Sequence, residues 1–218
     1  MAYDGGGQRL LVHGGDGGPS GDVGFTPLDD VWSFDLSKKE WKQIDPNGDM
    51  PSPRWAHSAA FDFKARKWYV FGGGGGNVGF NDVHAFDAAA GRWKQLHAKG
   101  DAPPPTEAAS LTFDSEAGAL LVVGGLSIAE KGPAGFKDAW TLDLKSMNWV
   151  RHKNVLKTTR RDHVAVYDAA LKRHIVVGGM TCKVLGNFYE RGDPVTDALV
   201  IEVKRPATSE QSQTQTSQ

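Results

Sequence analysis

An apolar run closing on two glycines occurs four times in this chain: LLVHGG at 10–15, WYVFGG at 68–73, LLVVGG at 120–125 and HIVVGG at 174–179. The first glycines of the pairs, Gly14, Gly72, Gly124 and Gly178, lie 58, 52 and 54 residues apart. A period of this size points to repeated supersecondary units, each burying apolar faces against its neighbours because it cannot bury them alone. Ten residues before each first glycine stands an aspartate (Asp4, Asp62, Asp114, Asp168), preceded each time by an aromatic (Tyr3, Phe61, Phe113, Tyr167). After each pair comes a loop of variable length and then DVWSFD from Asp30, DVHAFD from Asp82, DAWTLD from Asp138 and DALVIE from Asp197. Trp41, Trp93 and Trp149 follow 11 residues after the opening aspartate in the first three units, whereas the fourth has Thr208 there. Units are joined by GDMPSPR at 48–54 and GDAPPPT at 100–106, and Arg54-x-x-His57 recurs as Arg160-x-x-His163. The third unit has Thr106 and Ala109 at those two places.

Each unit reads as four short strands, a to d. Strand a ends at the aromatic-Asp pair, strand b runs into Gly14-Gly15, Gly72-Gly73, Gly124-Gly125 or Gly178-Gly179, strand c follows the second aspartate, and strand d carries the tryptophan. An aspartate opening the a–b turn accepts backbone N–H bonds from the residues after it. Strand b is apolar at nearly every position, which in a short strand predicts burial on both faces. Four-stranded sheets stacked around an axis bury both faces in this way.

The five glycines at 72–76 also raise the prospect of a phosphate-cradling loop. That loop requires a Gly-Lys-Ser/Thr ending or fixed glycine offsets followed by a helix. Here Gly76 is followed by NVGFND and another alternating run. Lys+Arg 25 against Asp+Glu 26, well mixed, gives no basic field for nucleic acid. Cys182 is the single cysteine, which excludes an internal disulfide and a cysteine-built zinc site. The N-terminal MAYDGGGQRL lacks the basic and apolar regions of a signal peptide, and no apolar run is long enough to span a bilayer. The expected location is cytoplasmic, with the nucleus as the other reducing compartment.

The combined register resembles the kelch-repeat family of β-propellers: the Gly-Gly doublet after strand b, the aromatic-Asp turn before it, the strand-d tryptophan and the Pro-Arg-x-x-His opening of strand a. The resemblance covers about 1–205, in units of about 1–47, 48–99, 100–155 and 156–205. It implies an all-β fold of four-stranded blades and a non-catalytic role in binding other proteins. The doublet glycines are then expected at positive φ, with 74–76 a pliable loop. The repeat register opens inside a strand a and closes without a strand d, so these four blades are expected to be part of a ring of about five to seven. Open blade edges favour self-association. The tail at 206–218, PATSEQSQTQTSQ, is polar and expected to be disordered.

The alternative is a propeller domain of a larger or metal-dependent enzyme, and two enzyme classes carry kelch-like propellers. Galactose oxidase resembles the chain in architecture, but its crosslinked copper-binding tyrosine has no counterpart around Cys182. The iron loop of nitrile-specifier proteins, Glu-x-x-x-Asp-x-x-x-His, is not reproduced by the nearest sequence here, from Glu190 through Asp193 to Asp197. No cofactor and no metal are expected. His57 and His163 repeat and are read as structural hydrogen-bonding residues; His13, His84 and His174 fall where other units have packing residues. Asp30, Asp82, Asp138 and Asp197 are read as capping the start of strand c by side-chain bonds to backbone.

What differs between units is the guide to specificity, because loops carry function on a rigid scaffold. The b–c loops span 14, 8, 12 and 17 residues between the second glycine and the strand-c aspartate. Three share a Gly-Phe pair that ends in Phe25, Phe80 or Phe136, and the fourth has Phe188-Tyr189 with Glu190 and Arg191. Aromatic residues and arginine dominate binding hot spots. The repeated phenylalanines also suit sealing their own loops, so the unrepeated Tyr189 and Arg191 are the sharper candidates for contact with a protein partner.

Overall fold

The computed structural model describes residues 1–18, 26–76, 78–129, 132–185 and 188–202. Among them the structure is β throughout, apart from a single 3-10 turn at Gly5–Gly7. The first sheet runs in the order a-b-c-d, formed by Ala2–Asp4, Arg9–Asp16, Pro27–Asp35 and Glu40–Ile44. Ser58–Asp62, Lys67–Phe71, Val83–Asp87 and Arg92–Leu96 repeat that order, and so do Ser110–Asp114, Ala119–Val123, Ala139–Asp143 and Asn148–His152. The fourth sheet has three strands among the described residues: Val164–Asp168, Arg173–Val177 and Ala198–Ile201. Neighbouring sheets meet along their a strands, so strand a lies innermost and the four sheets are propeller blades.

The Gly-Asp joints do more than connect. Asn47–Gly48 and Lys99–Gly100 pair in parallel with the d strands of blades two and three, each adding a fifth strand. Asp49 and Asp101 then donate their N–H groups to the carbonyls of Trp93 and Trp149, at 3.1 and 3.3 Å.

The aspartate turns form as expected and occur twice in each of blades two and three. Asp62 Oδ1 accepts from the N–H groups of Lys64 and Ala65, and Asp114 Oδ1 from those of Glu116 and Ala117. Asp35, Asp87 and Asp143, closing strand c, accept in the same way from the residues two and three further on.

All eight doublet glycines have positive φ, between 55° and 115°. The two members of each doublet do different jobs. The first closes its own blade, with the N–H of Gly72, Gly124 and Gly178 donating to the carbonyl of Asp82, Asp138 and Asp197. The second reaches the next blade, with the N–H of Gly15, Gly73 and Gly125 donating to the carbonyl of Arg54, Thr106 and Arg160 at 2.8–2.9 Å. A Cβ on Gly124 would lie 2.5 Å from the Arg160 carbonyl oxygen, so close backbone approach as well as φ demands glycine there.

The core lies between blades. Phe61, Trp68, Val70, Phe86 and Trp93 meet Leu11 and Val31 of blade one. Tyr69, Phe71, Val83 and Ala85 meet Leu120, Trp140, Leu142 and Trp149 of blade three. Strand b is therefore buried on both faces in blades two and three. In blades one and four it is buried on one face only, which departs from the uniform double burial read from its apolar sequence. Each fully buried side chain of this size contributes about 1.5–3 kcal/mol. Between blades one and two this packing is reinforced by the buried Asp4 carboxylate, which accepts from Arg9 at 3.1 Å and from Arg66 of blade two at 2.7 Å.

Candidate functional site

The a–b and c–d turns fall at one end of the blades, and the b–c connections fall at the other with the links between blades. At this second end the connections are built, not pliable. Gly74–Gly75 pairs with Val78–Gly79, Leu126–Ala129 with Gly132–Gly135, and Met180–Leu185 with Phe188–Pro194. The expectation of a pliable loop at 74–76 is thus corrected: two of these glycines are strand residues, because both faces of that ribbon are crowded. A Cβ on Gly75 would sit 2.8 Å from the Phe80 ring. In blade one, strands b and c continue past an irregularity between His13 and Gly15 to pair Asp16 with Pro27.

Each ribbon is rooted on the segment that leads into strand a of its own blade. The bridges are Trp55 with Gly74, Glu107 with Leu126 and Arg161 with Met180, each made by two backbone bonds of 2.8–3.0 Å. Those three residues follow the repeated Arg, Thr, Arg position, so one place in the repeat carries an indole, a carboxyl and a guanidinium in turn. Burial pushes the Glu107 carboxyl up, opposed by a hydrogen bond from Trp55. Arg161, also buried, donates to Asp162 at 2.6 Å. The sequence reading passed over these three; the signal was chemical variety at a fixed repeat position.

Of the residues singled out from the sequence, Arg54 is the most fully engaged. Its buried guanidinium makes a two-pronged pair with Asp82 at 2.7 and 3.0 Å, donates to the carbonyls of Gly72 and Ser52, and lies 4.4 Å over the Phe80 ring. His84 Nε2 is 2.9 Å from Asp82. Burial alone would raise the Asp82 carboxyl, but hydrogen bonds from His84 and Arg54 outweigh it and hold the group well below the usual carboxylate range. Arg160 repeats the motif with Asp197 and Gly178. Blade three, with Thr106 in place of arginine, re-pairs Asp138 with Arg151 of strand d at 2.6 Å and with the N–H of Asn154 at 2.7 Å. Asp30 takes the indole N–H of Trp32 at 2.7 Å. The strand-c aspartates therefore hold side chains, and among the described residues only Asp138 makes the backbone bond expected of all four.

His163 Nε2 is 2.9 Å from Ser110 Oγ of the preceding blade. Its repeat partner His57 instead packs against His13, with ring centroids 5.4 Å apart, and its Nδ1 has no hydrogen-bond partner among the described residues. Burial pushes His13, His163 and His174 down to about 4 and His57 down to about 3. Among the described residues no group of three or more His, Cys, Asp or Glu is placed to hold a metal ion.

Phe80 and Phe136 turn back onto their blades, Phe80 under Arg54 and Phe136 edge-on to Trp140 at 5.6 Å. Phe25 lies outside the described residues. Its place in the repeat is taken by Leu28, whose carbonyl accepts the N–H of Arg54 as that of Phe80 accepts the N–H of Thr106. Phe188, Tyr189 and Arg191 fall on the returning strand of the longest ribbon, where Tyr189 pairs with Val184 and Arg191 with Cys182; their side chains lie outside what is described, as does the tail at 206–218. Where the ribbon of blade three returns to strand c, a cleft of about 410 Å³ opens between Phe136, Lys137, Asp138, Arg151 and Lys153.

Blades wired through paired glycines around an axis, with ribbons raised at one end, define a β-propeller assembly. The domain family described as KLHDC2/KLHL20/DRC7 Kelch-repeats domain matches residues 1–197, so the chain belongs to the kelch-repeat family. It is 30% identical over 144 residues to acyl-CoA-binding domain-containing protein 4 of Arabidopsis thaliana, covering 66% of this chain and 20% of that protein. It is 30% identical over 123 residues to dynein regulatory complex subunit 7 of Chlamydomonas reinhardtii, covering 56% of this chain and 10% of that one. The chain thus spans a minor part of the length of these relatives. Among solved structures, that titled "Structure of YjhT" superposes with a TM-score of 0.63 at 16% identity, over 81% of this chain and half of that one.

Proposed function

We propose that this propeller segment is a non-catalytic scaffold that binds a protein partner on its ribbon face, with Tyr189 and Arg191 of the longest ribbon as the main contacts. The observation that carries the reading is the contrast between a closely repeated blade frame and b–c connections that differ in length and sequence, three of them bridged to that frame by backbone hydrogen bonds. A rigid frame holding unlike ribbons presents side chains at little ordering cost, which favours affinity. The matched dynein regulatory complex subunit is, by its name, a member of an assembly, a setting that suits a scaffold role.

The test is quantitative affinity purification from cells that express the protein. Three forms of the chain are compared: unchanged, Tyr189→Ala with Arg191→Ala, and Lys38→Ala with Lys64→Ala at the opposite end. The reading expects partners to be retained by the unchanged chain and the turn variant and depleted by the ribbon variant, with all three melting alike. Equal recovery on all three would overturn it.

A further inference from the structure

The start of strand c and the end of strand d lie together at the ribbon end of each blade, and the charge they carry changes from blade to blade. The residue before the strand-c aspartate is Asp29, Asn81 and Lys137 in blades one to three. Two and four residues after the strand-d tryptophan stand Gln43 and Asp45, then Gln95 and His97, then Arg151 and Lys153. The same three places are thus acidic in blade one, free of carboxylates, lysine and arginine in blade two, and wholly basic in blade three. Strand order is the same in all three blades, so the blade itself does not require lysine at either place.

In blade three these side chains line the cleft of about 410 Å³, with Asp138, Asn154 and Thr159. That volume falls in the range of ligand sites, roughly 300–1,000 Å³. Arg151 is accounted for by the blade, since it pairs with Asp138 where Thr106 replaces the arginine of the repeat. Lys137 and Lys153 are not. Both are exposed, and neither forms an ion pair among the described residues. Three cations against one carboxylate leave the cleft an excess of two positive charges. Its walls are tied by backbone: Asn154 donates its N–H to Asp138, Leu156 to the carbonyl of Lys137 at 2.8 Å, and Arg160 to the carbonyl of Phe136 at 3.3 Å. The link after strand d is thereby folded back on the start of strand c, and the lysines stand on fixed backbone, which lowers the ordering cost of binding.

We propose that this cleft binds the phosphate group of a phosphorylated serine or threonine on a partner polypeptide, with Lys137 and Lys153 as its charged contacts. Asp138 engages Nε and Nη2 of Arg151, and Nη1 is left as a third donor. A phosphorylated side chain brings close to two negative charges and three acceptor oxygens, which matches an excess of two charges and donors at three places, whereas a carboxylate brings one charge. A polypeptide is favoured over nucleic acid because the basic places are confined to blade three and give way to Asp29 and Asp45 in blade one, while a phosphate backbone calls for a continuous basic field. The assignment deepens the proposal that the ribbon face meets a protein partner, and rests on it for the source of the phosphate.

N-acetyl-phosphoserine amide, its serine and glutamate counterparts, inorganic phosphate and an oligothymidylate are titrated against the 218-residue chain, followed by amide chemical shifts. Three forms are compared: unchanged, Lys137→Asn with Lys153→His, and Lys38→Ala with Lys64→Ala. The first variant installs what blade two carries at these places, and the second removes the same lysine charge at the opposite end. The expected result is saturable binding of the phosphoserine probe in the millimolar range or tighter, with shifts at 135–138 and 151–154. It should be at least about tenfold tighter than for the glutamate probe, lost in the first variant and kept in the second, with all three forms melting alike. Absence of saturable binding, binding indifferent to the phosphate, or equal binding by the first variant and the unchanged chain would overturn the proposal. So would tighter binding of inorganic phosphate or of the oligothymidylate. Partner capture through Tyr189 and Arg191 is measured with both lysines in place, so either assignment can fail alone.

Discussion

Arg54 is buried with its charge balanced by Asp82, and the cost of losing it falls on the carboxylate left behind. Arg54→Ala should lower stability by about 3–5 kcal/mol, as for removal of one partner of a buried pair. Arg54→Lys should restore only part of this, because a lysine cannot make the two-pronged contact or stack on Phe80; full rescue in denaturant unfolding would contradict the assignment. The buried histidines set a second expectation. His13, His163 and His174 titrate near 4 and His57 near 3 in the folded chain, against about 6.5 unfolded. Between these values the unfolded chain binds more protons, so stability rises with pH. The melting temperature should be level above about pH 7 and fall steadily from about pH 6.5 towards 4, the Asp82 contribution being lost only below the unfolded carboxylate range. A maximum near pH 5 would contradict the burial of these rings. Glycine doublets and turn aspartates were legible in the sequence because each answers a local backbone requirement. The Arg54–Asp82 pair was not, since its members lie 28 residues apart and meet only when the segments leading into strands a and c are brought to the same end of the sheet.

Strand d shows how the same repeat element acquires different weight from its neighbours. Trp93 is fully buried between blades one and two, while Trp41 at the same repeat position is 55% exposed and touches Phe34 of its own blade. Trp93→Ala should therefore cost about 3–5 kcal/mol and Trp41→Ala less than about 1, measured where the chain is monomeric. Equal losses would mean that blade one is covered as blade two is. The order of strands a to d could be read from the repeat alone. The ribbons could not, because their pairing rests on short Gly-rich or irregular sequences such as GGGNVG that carry no alternating pattern. For the same reason the candidate face was seen as loops with prominent aromatics, and its rooted frame of Trp55, Glu107 and Arg161 emerged only from the fold.

Among the described residues the apolar faces of the blades meet in three interfaces, and the outward faces of blades one and four carry exposed apolar side chains. Val164, Val166, Val177 and Val200 of blade four are 46–66% exposed, and Tyr3 and Trp41 of blade one are 42% and 55% exposed. An apolar sheet face of this extent favours association. The 218-residue chain should show concentration-dependent association in sedimentation velocity, reduced by Val166→Lys with Val200→Glu; a monomer at every concentration would count against it. The measurement that bears most directly on the account is hydrogen exchange on the purified complex with its captured partner. Binding through the ribbon face predicts slowed exchange at 74–79, 126–135 and 180–194, with the c–d turns at 35–40, 87–92 and 143–148 unchanged. Protection confined to those turns would contradict it.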